Sequence, residues 1–355
     1  MKVLLVFDGS INVIGGAQTF ARNMIKIYKQ LGYSIRVICT EGKPSRDVVI
    51  LPSLKVLGRT ILFGDIGKVL EEVKNSDIIH LFYCESVLHL FVALAAKFLQ
   101  KKIISSPLAS ITYFFHHSIV KRMIAIPIVF IKCLVALLSD IVHVAAFYDL
   151  LVYRRIVSES KVFMIPHGLL SSQQEKPINL PNCELRICFL GRFKPDKGSH
   201  IAIKALEILR KLGYNACLIV IGSQDCLSSN YFSERRIFFT GFLREDEKNF
   251  VIKHCDVGII PSLSDPVEAF SIALSEFNRL GIPVVASDIG ALRFRMRPYA
   301  GVLVKPRDPF ELSKGILLAR KLKGKVKKLP DVIDLKQEAL MWKELLKRLQ
   351  ENYGF

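Results

Sequence analysis

The chain has 355 residues, 51% of them hydrophobic, and a formal net charge of +18. That length supports two domains of ordinary size, each with its own core, and the apolar fraction excludes a disordered or low-complexity polypeptide. The charge surplus divides evenly, +9 on either side of residue 170, and no recognition helix, zinc spacing or aromatic RNA motif goes with it, so no nucleic acid is expected as a partner.

The opening MKVLLVFDGS is too short and too quickly polar for a signal peptide, and its apolar run at 3–7 reads as the first strand of the fold. Similar runs bounded by turn residues follow at 34–39, 77–81, 102–105, 141–144 and 162–165, then at 186–190, 216–221, 236–240, 257–260, 283–286 and 301–304. Helical patterns lie between them, so strands and helices alternate twice over. This order predicts an α/β protein with two parallel-sheet domains, 1–168 and 185–334. The stretch 166–184 holds three prolines without apolar periodicity, which makes 169–184 the linker. A last helix is expected over 335–355, with Trp342 inside it.

Between Lys97 and Lys161 nine basic residues stand against three acidic ones, interleaved with apolar stretches such as IAIPIVFIKCLVALL. On a helix, Lys121 and Lys132 would fall on nearly the same side of a broad apolar face, which predicts an in-plane contact with an anionic membrane surface. The alternative is a core helix with a basic solvent stripe. The uncharged runs are too short to span a bilayer. The basic run RKLKGKVKK at 320–328 is expected to be a solvated loop. Eight cysteines lack C-x-x-C spacing and several sit in apolar runs, so they read as reduced core residues and favour a cytoplasmic location. His89, His143, His200 and His254 show no ligand spacing, and no metal is assigned. His80 reads as either cleft-lining or structural, His167 as a hinge residue, and Asp225 as a loop residue.

Two segments carry the chemistry. In ICFLGRFKPDKGSHIAIKAL, residues 187–206, an apolar strand ends in Gly191-Arg192 and a helix begins beyond Lys197-Gly198. Loops at the carboxyl ends of parallel strands form the usual ligand crevice of an open α/β sheet. There the Arg192 fork and the Lys197 point charge can together neutralise a diphosphate, although surface charge is the plainer alternative. In EAFSIALSE, Glu268 and Glu276 flank the start of an amphipathic helix expected from Ala269 or Phe270 to Leu280. The N–H groups of Phe270, Ser271 and Ile272 would then point out of its positive end and hold a phosphate. Eight residues of helix rise roughly 12 Å, so the two carboxylates can bond hydroxyls at opposite ends of one elongated ligand. A nucleotide sugar has that layout. The alternative is a pair that merely faces solvent and favours the helix dipole.

Six collinear pieces cover most of the chain: residues 15–33, 76–82, 161–168, 191–198, 255–291 and 301–313. In that arrangement, and above all in CDVGIIPSLSDPVEAFSIALSEFNRLGIPVVASDIGA, the chain resembles the retaining GT-B glycosyltransferases of glycosyltransferase family 4. The resemblance implies a GT-B fold, two Rossmann-like parallel-sheet domains facing across a cleft, with the terminal helix 335–355 returning to brace the first domain. It implies that Arg192 and Lys197 hold the donor diphosphate, Glu276 binds the ribose hydroxyls and Glu268 faces the donor sugar. The backbone of Phe270, Ser271 and Ile272 would meet the diphosphate and sugar, Gly16 would approach the phosphate closely, and Gly15 would shape that turn. Glu268, Arg192 and Lys197 are thus expected to carry the reaction.

The implied activity is retaining transfer of a hexose from a nucleotide-diphosphate sugar to a hydroxyl of a saccharide or lipid-linked acceptor. No D-x-D pair is present, so metal independence is expected, and no cofactor beyond the co-substrate. A cytoplasmic protein, peripheral on the inner membrane face, would fit that acceptor. The chain departs from the family at two places. Ser106, Pro107 and Leu108 stand where a loop histidine is frequent, with His116 and His117 as nearby substitutes, and Ser271 stands where glycine is common. These departures leave open a noncatalytic GT-B-like protein that binds a nucleotide sugar or a partner glycosyltransferase.

Overall fold

The computed structural model describes residues 1–12, 15–56, 59–107, 119–170, 174–223, 236–264, 268–296 and 300–351, and elements are numbered over these. They form two compact units, Met1–Pro166 with Lys336–Phe355, and His167–Leu335.

The first unit contains β1 (Lys2–Phe7), β2 (Ser34–Cys39), β3 (Val48–Ile50), the hairpin β4 (Ser53–Val56) and β5 (Arg59–Phe63), β6 (Ile78–Phe82), β7 (Lys102–Ser106), β8 (Ile141–Val144) and β9 (Val162–Met164). Seven of these strands form a sheet in the order β3-β2-β1-β6-β7-β8-β9, and every pairing in it is parallel. Its helices are α1 (Gly16–Gln30), α2 (Ile66–Lys74), α3 (Val87–Phe98), α4 (Ile119–Leu138) and α5 (Phe147–Tyr153). A parallel sheet needs cover on both faces, and the near-continuous apolar strands reflect that. On one face Leu4, Val6, Ile79 and Leu81 pack with Val73 of α2, Val92 of α3 and Val135 of α4. On the other, Phe20 of α1 meets Phe82 edge-on, with ring centroids 5.5 Å apart.

That second face also buries a chain of polar groups. The Ile165 carbonyl can only accept, so His143 donates to it from Nε2 (2.9 Å). The neutral His143 ring then accepts at Nδ1 from the Ser106 hydroxyl (2.8 Å). Ser106 accepts in turn from His80 Nε2 (2.8 Å), and His80 Nδ1 accepts from the Tyr28 hydroxyl (2.9 Å). Burial holds the His143 imidazole down to about 4 and pushes His80 in the same direction. His80 is therefore a structural histidine. Trp342 packs on both rings, with centroids 5.4 Å from His80 and 4.7 Å from His143.

The second unit contains β10 (Leu185–Leu190), β11 (Ala216–Ile221), β12 (Ile237–Gly241), β13 (Val257–Ile260), β14 (Val284–Ser287) and β15 (Gly301–Val304). They pair in parallel in the order β12-β11-β10-β13-β14-β15. Its helices are α6 (Ser199–Lys211), α7 (Glu245–Lys253), α8 (Ile272–Arg279), α9 (Gly290–Arg295) and α10 (Pro309–Arg320), and α11 (Leu335–Glu351) ends the described chain. The strand order reverses between β10 and β13, the switch point at which open α/β sheets bind ligands.

Three expectations need correction. β3 and the β4–β5 hairpin do not appear in the sequence reading. The hairpin exposes Leu54, Val56 and Leu62 and is held by polar hooks instead, with Thr60 N–H (2.9 Å) and hydroxyl (2.6 Å) donating to Asp8. Lys132 lies neither on the expected membrane-contacting side nor in a basic solvent stripe: it is fully buried, 2.8 Å from Glu85, which it shares with Arg59, because a carboxylate so largely withdrawn from water needs cations beside it. The cysteines are not all reduced, since Cys183 and Cys217 form a disulfide across 34 residues. Parallel pairing of β10 with β11, Leu185 opposite Ala216, brings the two together, and linear spacing cannot show this. Cys39, Cys84, Cys133, Cys188 and Cys255 are free. Residues 320–325, 327 and 328 are exposed, as expected of a solvated run. Leu108, His116, His117, Asp225 and Cys226 lie outside the described residues.

Candidate functional site

The second unit's site is built from the loops that follow β10 and β13. Gly198 is left-handed (φ +78°), and a Cβ there would sit 1.9 Å from the Pro261 carbonyl oxygen, so only glycine lets the two loops touch. Leu263 N–H donates to the Asp196 carbonyl (3.1 Å) and fixes the contact. The consequence is local and chemical. Lys197 Nζ stands 2.6 Å from Glu268 Oε1, and the Ser262 hydroxyl donates to the same oxygen at 2.7 Å. Glu268 is only 4% exposed, so its charge is compensated rather than solvated. Arg192 is exposed at the end of β10.

Behind Glu268 the helix starts later than the sequence suggests. α8 begins at Ile272, with Ser271 as its cap, rather than at Ala269 or Phe270. Leu274 donates the first bond, to the Ser271 carbonyl at 3.1 Å, so the N–H groups of Ile272 and Ala273 precede the ladder. Of the three residues expected at the helix start, Ile272 is the first helical one, and Phe270 and Ser271 form the turn before it. Ser271 takes φ +59° and ψ +81°, the left-handed region that glycine enters freely and other residues enter at a cost. This backbone requirement accounts for glycine being common at that position.

An arginine that the sequence reading passes over holds this turn. Arg295 of α9 donates to the carbonyl oxygens of Phe270 and Ser271 and, at 2.8 Å, to the Ser275 hydroxyl. It forms an ion pair with Asp331 at 2.5 Å, and its guanidinium lies 3.9 Å from the Phe270 ring centroid. His167 also meets the Phe270 ring, edge-on at 4.9 Å. One buried guanidinium thus fixes two consecutive carbonyls where a short helix alone would fray.

About one turn along α8, Glu276 is 6% exposed. Lys248 of α7 pairs with Oε1 at 2.7 Å and Arg279 with Oε2 at 3.3 Å. A carboxylate offers about four acceptor positions, so further hydroxyls can bond to Glu276 without displacing either cation. The helix is seated closely because Gly258 of β13 leaves room for the Phe277 ring: a Cβ there would lie 2.7 Å from it. The solvent-facing alternative for the two glutamates is excluded by their burial and pairing. Lys248, like Arg295, gives no sequence signal, because its partner lies 28 residues away on another element.

The structure therefore gathers Lys197, Glu268, Phe270, Ser271, Ile272 and Glu276 on the loops and helix beside the switch point, with Arg192 at the head of the same loop as Lys197. The remaining predicted residues, Gly15 and Gly16, belong to the first unit. There Gly16 opens α1, and Gly15, in extended backbone, accepts from Thr19 N–H at 2.9 Å. Among the described residues no group of three or more acidic, histidine or cysteine side chains is arranged to hold a metal ion.

Residues 171–331 match the family model described as Glycosyl transferases group 1. An uncharacterized glycosyltransferase of Methanocaldococcus jannaschii is 30% identical over 149 residues, covering 40% of this chain and 37% of that protein. The capsular polysaccharide biosynthesis glycosyltransferase CapM of Staphylococcus aureus is 26% identical over 151 residues, covering 38% of this chain and 36% of that protein. The aligned stretch is thus under two-fifths of either relative. Across nearly the whole chain the fold is similar to that of sucrose-phosphate synthase from Thermosynechococcus elongatus, with TM-score 0.69, 17% identity and 98% of both chains covered. It is also similar to Anabaena HepE, solved in complex with UDP-glucose, with TM-score 0.67, 16% identity, and 98% of this chain and 100% of that one covered. At these identities the likeness shows the fold, GT-B.

Proposed function

We propose, for a chain whose residues 171–331 match the glycosyl transferases group 1 family model, that it transfers a hexose from a nucleotide-diphosphate sugar to a hydroxyl of a saccharide or lipid-linked acceptor. The observation that carries this reading is the pair of buried, cation-compensated carboxylates Glu268 and Glu276 on either side of an open helix start. In this reading Glu276 accepts from the ribose hydroxyls, and Lys248 and Arg279 keep its carboxylate aimed. Arg192, Lys197 and the N–H groups of Ile272 and Ala273 meet the diphosphate and offset the charge that builds on it as the sugar departs. Those groups supply the positive charge, so the reaction is proposed to need no metal. Glu268 faces the donor sugar, and its ion pair with Lys197 ties the sugar subsite to the phosphate subsite.

The proposed course is retaining. The bond from the anomeric carbon to the β-phosphate oxygen breaks, the acceptor oxygen bonds to the same face, and its proton passes to the departing phosphate oxygen. The relative solved with UDP-glucose supports a nucleotide-sugar donor, and CapM, named for polysaccharide biosynthesis, supports a saccharide acceptor. A donor panel of UDP, GDP and ADP sugars tests the reading by calorimetry and nucleotide release. One donor should bind, and Lys197→Ala and Glu276→Ala should each weaken it at least about tenfold, the loss of one charge-assisted contact. If no donor binds, the reading fails.

A second reading, a noncatalytic nucleotide-sugar binder, has one observation in its favour. Ser106, near the position where the family often carries a loop histidine, is buried and hydrogen-bonded between His80 and His143. Donor binding without nucleotide release, in the presence of any hydroxyl acceptor, would select it.

A further inference from the structure

The α2–α3–α4 layer of the first unit has an outer face unlike that of an ordinary solvated helix layer. Its inner side packs on the sheet through Val69, Val73, Leu88, Val92 and Val135. Its outer side is also apolar. On α4, Met123, Ile126, Phe130 and Leu137 are 52–66% exposed, and their spacing places them in one stripe along the helix. The one charged residue on α4 after Met123 is Lys132, and it points inward to Glu85. The stripe therefore contains no charge. On α3, which packs against α4, Leu94 is 52% and Phe98 88% exposed. On α2, Ile66 and Leu70 are exposed as well, and a groove of about 450 Å³ between α2 and α3 has an apolar floor of Leu70, Ala95, Phe98 and Leu99, with Gly67, Glu71 and Lys74 completing its lining. Apolar surface thus runs over three adjacent helices, an arrangement that marks an interaction face.

We propose that this face seats on an anionic lipid bilayer. The choice of occupant follows from charge. Neither α3 nor α4 contains an acidic residue, while Lys68 and Lys74 of α2 and Lys97 of α3 are exposed beside the apolar side chains, with Glu71 the one exposed carboxylate on α2. Long lysine side chains rimming an apolar stripe can lie along it and reach phosphate headgroups while Phe98, Phe130 and Ile126 enter the acyl boundary. Among the described residues no helix is long and apolar enough to cross a membrane, so the contact is in-plane. This deepens the lipid-linked acceptor named above and rests on that reading for its purpose, though not for its geometry.

The test is flotation of the full chain with vesicles of phosphatidylcholine alone and of phosphatidylcholine mixed with phosphatidylglycerol, at low and high salt. The expected result is flotation with the mixed vesicles only, weakened by salt. It should fall at least about tenfold in Phe98→Glu/Phe130→Glu and several-fold in Lys74→Glu/Lys97→Glu. The lysine variant changes only exposed charge and guards against loss of folding in the other. No flotation of the unsubstituted chain, or flotation that both variants retain, overturns the proposal. A dimer in sedimentation velocity that the phenylalanine variant dissolves, without vesicle binding, assigns the face to a second copy and overturns it equally. Donor binding by calorimetry is measured in parallel: vesicle binding without donor binding sinks the transferase reading alone, and the reverse sinks the membrane face alone.

Discussion

Ser271 and Arg295 carry opposite lessons about single residues. Ser271 occupies a left-handed conformation that costs a non-glycine residue about 1 kcal/mol. Ser271→Gly should therefore raise stability by up to about 1 kcal/mol, read as a higher urea midpoint, and leave donor binding intact. A lower midpoint would show that the serine side chain matters more than its backbone. Arg295 acts through the turn it holds and is a positioning residue. Lysine cannot reproduce the fork onto two carbonyls, a hydroxyl and Asp331, so Arg295→Lys is expected to weaken donor binding at least about tenfold. A variant that binds donor normally would demote Arg295 to general stability.

At the scale of elements, the polar chain across the first sheet couples β6, β7 and β8 to α1. His143 titrates near its ordinary 6.5 when unfolded and only at about 4 when folded. Between those values the unfolded state holds the extra proton, so the stabilisation is fully present above pH 6.5 and is lost as pH falls toward 4. The loss reaches about 3 kcal/mol for His143 by pH 4, and His80 acts in the same direction. Urea midpoints should drop between pH 6.5 and 5, and His143→Gln should flatten that slope. An unchanged slope would place the acid sensitivity elsewhere.

For the whole molecule, the chain leaves the first unit after Pro166 and re-enters it at Lys336. Trp342 is the sole tryptophan and is fully buried in the first unit, so its fluorescence reports unfolding of that unit alone. Trp342→Ala should destabilise the first unit by about 3–5 kcal/mol, the usual cost of emptying a large core position, and leave donor binding by the second unit in place. Calorimetry then resolves a lowered transition beside an unchanged one. A uniform shift of both would show that the units unfold as one.

Alternation of apolar runs with helical patterns fixed most strands to within a residue or two, because parallel strands buried on both faces are nearly continuous in hydrophobicity. β3, three residues long, and the β4–β5 hairpin escaped, since polar hooks rather than apolar alternation hold the hairpin. The site residues on the loops after β10 and β13 were legible because glycine, lysine and glutamate fall at fixed offsets within short segments. What the sequence could not specify were the partners: Lys248 for Glu276, Arg295 for the Phe270–Ser271 turn, Lys132 for Glu85, and Cys217 for Cys183. Each pairing joins residues 24 to 47 positions apart on different elements, and only packing brings them within bonding distance. Local periodicity determines which elements form and which end of a strand carries chemistry, while the compensation of buried charge is a property of the folded interior, where water is absent and each ion must find its counterion.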